Sequence, residues 1–227
     1  MPSNRYYSLT AKSASTAELL LYDEIGSGYF DEGTTAKQFA EDLRSVRDVA
    51  TLNVRINSPG GSVFDGFAIY NQLLRFPGRV EVDIDGLAAS IASVIALAGR
   101  DIRMAKNALF MMHQPSGLVM GTPVDMRAMA ANLEKVGEQI RGVYTDKTGM
   151  KPERVTTMMD EETWLTAEEA HKLGFVDTIT GERAMTNHFD LSRYKRPPAV
   201  LTAQTGGAQR RAMLAHMQRT AAQLRRA

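Results

Sequence analysis

The sequence predicts an α/β domain with substantial parallel strand pairing. Three observations carry this. Short strand-like runs alternate with segments of helical spacing along most of the chain. Several of those runs end in glycine- and serine-rich turns that lead directly into a helix. The length, 227 residues with 44% hydrophobic and 23% charged, is that of an ordinary globular domain with a real core.

The elements follow in order. Residues 1–17 are polar and are expected to form a flexible N-terminal segment. Glu18–Ile25 (ELLLYDEI) reads as a buried strand before a Gly26-Ser27-Gly28 turn, and Thr34–Val46 spaces Ala36, Phe39, Ala40 and Leu43 on one helical face. Leu52–Asn57 alternates as a strand and runs into Ser58-Pro59-Gly60-Gly61-Ser62. A helix follows, with Val63, Phe67, Tyr70 and Leu74 as its apolar stripe. Arg79–Ile84 is the next strand, leading through Gly86-Leu87-Ala88-Ala89-Ser90 to an alanine-rich helix ending at Ala98. Strands are expected near Asp101–Met104 and Ala108–Met112. From Pro123 a long helix carries Met126, Met129, Leu133, Val136, Ile140 and Val143 at steps of three and four, a narrow seam suited to packing on the body or on another subunit. A short helix spans Pro152–Met158. Another spans Thr166–Leu173, with Thr166 and Glu169 as a capping box and Gly174 as its stop. Beyond Asp190 the pattern is lost, and 184–227 reads as a basic linker and tail, with a basic amphipathic helix over 208–227.

Composition excludes several function classes. With no cysteine, the chain has no disulfide, no thiolate metal site and no cysteine nucleophile. Its four histidines, His113, His171, His188 and His216, are dispersed without ligand spacing, so neither a metal nor another cofactor is expected. The longest membrane-like stretch, Leu87–Ala98, falls well short of the roughly 20 residues a spanning helix needs. The N-terminus has no apolar signal region, which makes the cytoplasm the expected location.

Charge is unevenly spread. After Asp190 there is no acid, but Arg193, Lys195, Arg196, Arg210, Arg211, Arg219, Arg225 and Arg226 are basic. Setting those eight aside from the 27 basic residues leaves 19 against 26 acidic ones over positions 1–190, a net charge of −7. Such a tail suits contact with nucleic acid or an acidic protein surface, or is simply a solvated extension.

Three local features carry chemistry. Asn57-Ser58-Pro59-Gly60-Gly61 closes a strand and opens a helix. It is either an ordinary turn or a place where backbone N–H groups approach an oxyanion. Ser90 sits at the next strand-to-helix junction among small residues, where the N–H of Ile91 would lie beside an oxyanion; Ser93 is the competing serine. His113, in Met111-Met112-His113-Gln114-Pro115, alone among the histidines follows a buried strand. It is either a satisfied surface histidine or the base a serine needs.

The order INSPGG, GLAAS, MMHQP and WLTAEEAHKLGFVD resembles the Clp protease proteolytic subunit, peptidase family S14, over roughly Glu18–Thr180. NVRINSPGGSVFDGFAIYNQL and EETWLTAEEAHKLGFVD are closest to its phage branch, the ClpP-related head maturation proteases, and the basic extension fits that branch too. The resemblance implies a ClpP/crotonase-like fold of repeated β-β-α units with a protruding handle helix, the peptidase domain occupying 18–183. It implies a serine endopeptidase with Ser90 as nucleophile, His113 as general base, and the backbone N–H groups of Gly61 and Ile91 as oxyanion hole. Alignment on Trp164-Leu165-Thr166-Ala167 puts the triad acid at Glu162, with Asp160 as the alternative; Asp177 reads as structural. The seam on the long helix corresponds to the handle, implying homo-oligomeric rings. Implied substrates are capsid and scaffold proteins, cut in the host cytoplasm or inside the assembling head.

The alternatives are a housekeeping subunit working with a Clp ATPase, a crotonase-like acyl-CoA enzyme, and a non-catalytic ring component. No G-x-x-x-x-G-K-[ST] motif occurs, so an ATPase would be a separate chain. An acyl-CoA enzyme would not need Ser90 and His113 together.

Overall fold

The computed structural model describes residues 7–26, 33–183, 189 and 191–198. The chain divides into two compact units, 1–185 and 186–227. In the first, the elements run β1 (Tyr7–Ala11), β2 (Thr16–Leu21), α1 (Ala36–Ser45), β3 (Thr51–Ser58), α2 (Val63–Leu74), β4 (Arg79–Ala89), α3 (Ile91–Ala96), β5 (Asp101–Ala105), β6 (Leu109–Met112), α4 (Pro123–Thr148), α5 (Pro152–Asp160), β7 (Thr163–Thr166), α6 (Ala167–Lys172) and β8 (Thr178–Thr180). In the second unit, Tyr194 N–H donates to the Leu191 carbonyl at 3.1 Å, closing a turn. The expected helix over 208–227 lies outside the described residues, as do His188, His216 and the Ser27-Gly28 half of the first turn.

The described strands form an eight-stranded sheet ordered β1-β2-β3-β4-β5-β8, with β6 branching from β4 and β7 pairing β6. From β2 to β8 the pairing along that path is parallel. The long strand β4 makes the branch. Its Glu81–Ile84 half pairs β5, and Leu87–Ala89 pairs β6. One strand therefore ends between two neighbours that have diverged, and Ser90 follows at that fork.

One sheet face carries the core, where Leu52, Val54, Ile56, Val82 and Ile84 meet Phe39, Ile69 and Leu73 of the helices. The alternate positions carry charge. Arg103 grips both oxygens of Asp83 at 2.9 Å and reaches Glu81 at 3.0 Å. Asp85 takes Arg55 Nε at 2.7 Å, Arg183 Nε at 2.9 Å and the Tyr22 hydroxyl. This period-two alternation is what makes the strands legible in the sequence. Burial alone would raise the Asp83 carboxyl, but the Arg103 guanidinium holds it below the ordinary carboxylate range. A depressed folded pKa stabilises fully above the unfolded value of about 3.9, and that stabilisation is lost as the pH falls through the lower folded value. We therefore expect the urea midpoint of Asp83→Asn to fall less steeply than wild type below about pH 4. Parallel curves would show that the pair does not contribute.

Three sequence expectations need correction, and a fourth is refined. Within residues 1–17, Tyr7–Ala11 forms a strand antiparallel to β2, because Tyr7 and Leu9 pack against the core and the turn before Thr16 closes a hairpin. On α2 the buried face is Gly66, Ile69 and Leu73, while Leu74 is 55% exposed. A Cβ at Gly66 would lie 2.1 Å from the Ile91 side chain, so the missing side chain lets α2 settle against α3 one residue off the expected stripe. The seam on α4 is only partly used. Gly137, Ile140 and Tyr144 are buried, whereas Met126 is 50% exposed and the first turns are largely exposed, which leaves that half of the seam open to another subunit. The GLAA segment continues β4 rather than forming a turn.

Candidate active site

Ser90 occupies the turn between β4 and α3 with φ 55° and ψ −129°, a conformation that L-residues other than glycine avoid. Its N–H donates to the Met111 carbonyl at 3.0 Å, extending the β4–β6 pairing by one step. Because β6 runs parallel to β4, His113 emerges beside Ser90. His113 Nε2 lies 2.8 Å from Ser90 Oγ, a full hydrogen bond. The other described histidine, His171, has Nδ1 3.1 Å from the Val176 carbonyl, within its own helix-to-strand turn.

Asn57-Ser58-Pro59-Gly60-Gly61 runs alongside. Gly60 has φ 85°, and a Cβ there would stand 2.6 Å from the Ala89 carbonyl oxygen and 2.7 Å from Ser90 Cβ. Gly61 has φ 148°, and a Cβ there would meet the Ile25 carbonyl at 2.2 Å. Only glycine allows this loop to press against the serine turn while paired to Ile25. Gly61 and Ile91 thus belong to the two turns that meet at Ser90. The Ile91 side chain itself is buried against α2.

The two candidate acids are separated clearly. Antiparallel pairing of β6 with β7 ends at Met112 opposite Thr163, so His113 leaves β6 at the same end of the ladder at which Glu162 leads into β7. Glu162 is 6% exposed, also has positive φ (54°), and accepts from Trp164 Nε1 at 3.3 Å. Asp160, at the end of α5, is exposed and accepts from Gln114 Nε2 at 2.8 Å. It lines a groove of about 530 Å³ with Gln114, Pro115, Leu133 and Gly137. Asp177 accepts from the Ile102 N–H at 2.8 Å and from Lys147 Nζ at 3.0 Å, pinning β5 and α4 to the segment before β8.

Ser93 is fully buried. Its Oγ donates to the Ser90 carbonyl at 2.5 Å and lies 2.7 Å from the Tyr144 hydroxyl, so it is not presented to a substrate. Tyr144 was invisible to sequence reasoning as part of this region, since nothing local links a long helix to a turn 51 residues earlier. Among the described residues, no group of three or more His, Asp or Glu side chains is placed to hold a metal ion. Among them, too, no helix is long and apolar enough to cross a membrane.

A buried carboxylate at the strand end from which a histidine emerges, that histidine hydrogen-bonded to a serine on a strained turn, and glycine-lined backbone alongside can support nucleophilic acyl transfer. Comparison with known proteins agrees in kind. The profile of the Clp protease family matches residues 3–183. The ATP-dependent Clp protease proteolytic subunit 3 of Streptomyces coelicolor is 37% identical over 141 residues, 60% of this chain and 64% of that protein. Subunit 1 of Chlamydia abortus is 34% identical over 161 residues, 66% of this chain and 84% of that one. The chain thus spans slightly under two thirds of the length of the Streptomyces coelicolor relative. Among solved structures, a point mutant of ClpP1 from Listeria monocytogenes superposes with a TM-score of 0.63 at 25% identity, covering 75% of this chain and 93% of that one. The fold is ClpP-like, as the resemblance implied. Matched across its strand and helix framework in both sequence and structure, the chain belongs to the Clp protease family.

Proposed function

We propose that the chain is a serine endopeptidase in which Ser90 is the nucleophile, His113 the general base and Glu162 the acid that orients it. The observation that carries this is the 2.8 Å contact between Ser90 Oγ and His113 Nε2 on a strained turn. Ser90 attacks the peptide carbonyl as His113 takes its proton, and His113 returns that proton to the leaving amine. Water then repeats the cycle on the acyl-enzyme. The N–H groups of Gly61 and Ile91 receive the oxyanion. Glu162 stabilises the imidazolium that forms on His113, and its burial strengthens that interaction. An acyl-CoA enzyme of the same fold has no use for the serine–histidine hydrogen bond.

For the substrate, our reading is capsid and scaffold protein cut during phage head maturation, by homo-oligomeric rings of this chain. Support comes from the branch-specific phrases around Gly60 and Trp164 and from the acid-free basic extension after Asp190. The names of the relatives favour a second reading instead, a housekeeping subunit that degrades proteins fed to it by a separate ATPase. Co-expression with scaffold and capsid protein separates the two. Defined cleavage products formed without an ATPase are the expected result. Degradation that begins only on adding a Clp-type ATPase and ATP would establish the second reading instead.

A further inference from the structure

Among the buried hydroxyls that the mechanism above does not use, two are bonded to each other next to the serine turn. Ser93 and Tyr144 are 0% and 1% exposed, and they join α3 to the long helix α4 across 51 positions of sequence. A buried hydroxyl pair is a poor choice for packing alone, since alanine and phenylalanine would fill the same volume without polar groups to satisfy. Their connections have a direction. The Ser90 carbonyl only accepts, so the single Ser93 proton is committed to it at 2.5 Å. Tyr144 must then be the donor to Ser93 Oγ at 2.7 Å. Burial pushes the Tyr144 phenol well above the ordinary tyrosine range, so that proton stays in place across the working pH range.

What this chain holds is the peptide plane between Ser90 and Ile91. In a trans peptide the carbonyl and the following N–H point in opposite directions within one rigid plane. Any rotation of the Ser90 carbonyl therefore swings the Ile91 N–H by the same angle. The Ser93 N–H adds a second donor to that carbonyl at 3.0 Å. The plane follows a residue at φ 55°, where the backbone is strained and has reason to relax if released.

We propose that Ser93 and Tyr144 are positioning residues for the oxyanion hole, aiming the Ile91 N–H by gripping the carbonyl of its own peptide plane. The inference rests on the reading of Ser90 as nucleophile and Ile91 as oxyanion donor. It also ties the packing of α4, whose first turns are largely exposed, to the competence of the site.

The test uses the full-length chain as Ser93→Ala, Ser93→Thr, Tyr144→Phe and the Ser93→Ala/Tyr144→Phe double variant. Active sites are counted by intact mass after exhaustive fluorophosphonate labelling, so that only folded, competent protein enters the rates. Loss of a whole oxyanion donor lowers kcat by about 100- to 1,000-fold, so misaiming one should cost roughly 10- to 100-fold. We expect that loss in kcat for Ser93→Ala, with KM within about twofold of wild type. The second-order labelling rate should fall in step. Tyr144→Phe should lose less, Ser93→Thr should recover most of the rate, and the double variant should be no slower than Ser93→Ala. The pH at half-maximal kcat/KM should not move, because the Ser90–His113 bond is untouched. Two results would overturn the proposal: kcat per titrated site within about twofold of wild type in both single variants, or a loss carried by KM or by a shifted pH profile. Wild type that takes no label at Ser90 would overturn the peptidase reading beneath it, and so is a separate outcome.

Discussion

Ser90→Ala is expected to abolish covalent capture of a fluorophosphonate and to lower peptidase turnover by about a million-fold, leaving only what backbone donors and substrate binding supply. Nothing else in the site replaces its oxygen. The neighbouring Ser93 is buried with its proton committed to the Ser90 carbonyl, so it cannot rescue the variant. The same position makes a stability prediction of opposite sign. Ser90 holds φ 55°, which alanine tolerates no better than serine but glycine adopts freely. Ser90→Gly should therefore be as inactive as Ser90→Ala yet more stable, by about 1 kcal/mol of relieved strain. Intact mass after labelling and urea midpoints for the three proteins check both halves. Labelling of Ser90→Ala at wild-type stoichiometry would remove Ser90 from the mechanism.

Glu162→Gln should reduce kcat by about 1,000- to 10,000-fold, while Asp160→Asn stays within about threefold of wild type. The amide keeps the shape of Glu162 but removes the charge that stabilises a protonated His113 and selects its tautomer. Geometry separates the two acids. Glu162 is buried and directly precedes Thr163, the last β7 residue paired with β6, at the end from which His113 emerges. Asp160 is exposed and already accepts from Gln114. Single-turnover rates on a peptide ester, measured alongside peptide hydrolysis, read the loss at the acylation step. A large loss in Asp160→Asn with little in Glu162→Gln would transfer the third role to Asp160.

Much of the framework was legible because the relevant forces are local. Alternation in LNVRIN and RVEVDI reports a sheet with one apolar and one charged face, and that face carries the Arg103–Asp83 and Arg55–Asp85 pairs. Thr166 and Glu169 form their capping box, with the two backbone contacts at 3.3 and 2.8 Å. What escaped was set by contacts distant in sequence. The buried stripe of α2 runs from Gly66 through Ile69 to Leu73, because Ile91 on another helix packs where a side chain at Gly66 would stand. Tyr7–Ala11 looks polar and frayed on its own, and becomes a strand because β2 and the core lie beside it.

The same division holds at the site. Residue order and type brought forward Ser90, His113 and the glycine pair as candidates at strand ends, and the family resemblance of the motifs around them set Ser90 above Ser93. They could not choose between Glu162 and Asp160, two residues apart, because that choice depends on the register of β7 against β6 and on which carboxylate is buried. Nor could they connect Tyr144 to Ser93. The fold brings a helix from late in the chain onto a turn from its middle, and only there does the Tyr144 hydroxyl meet Ser93 Oγ, which in turn holds the carbonyl of the strained serine.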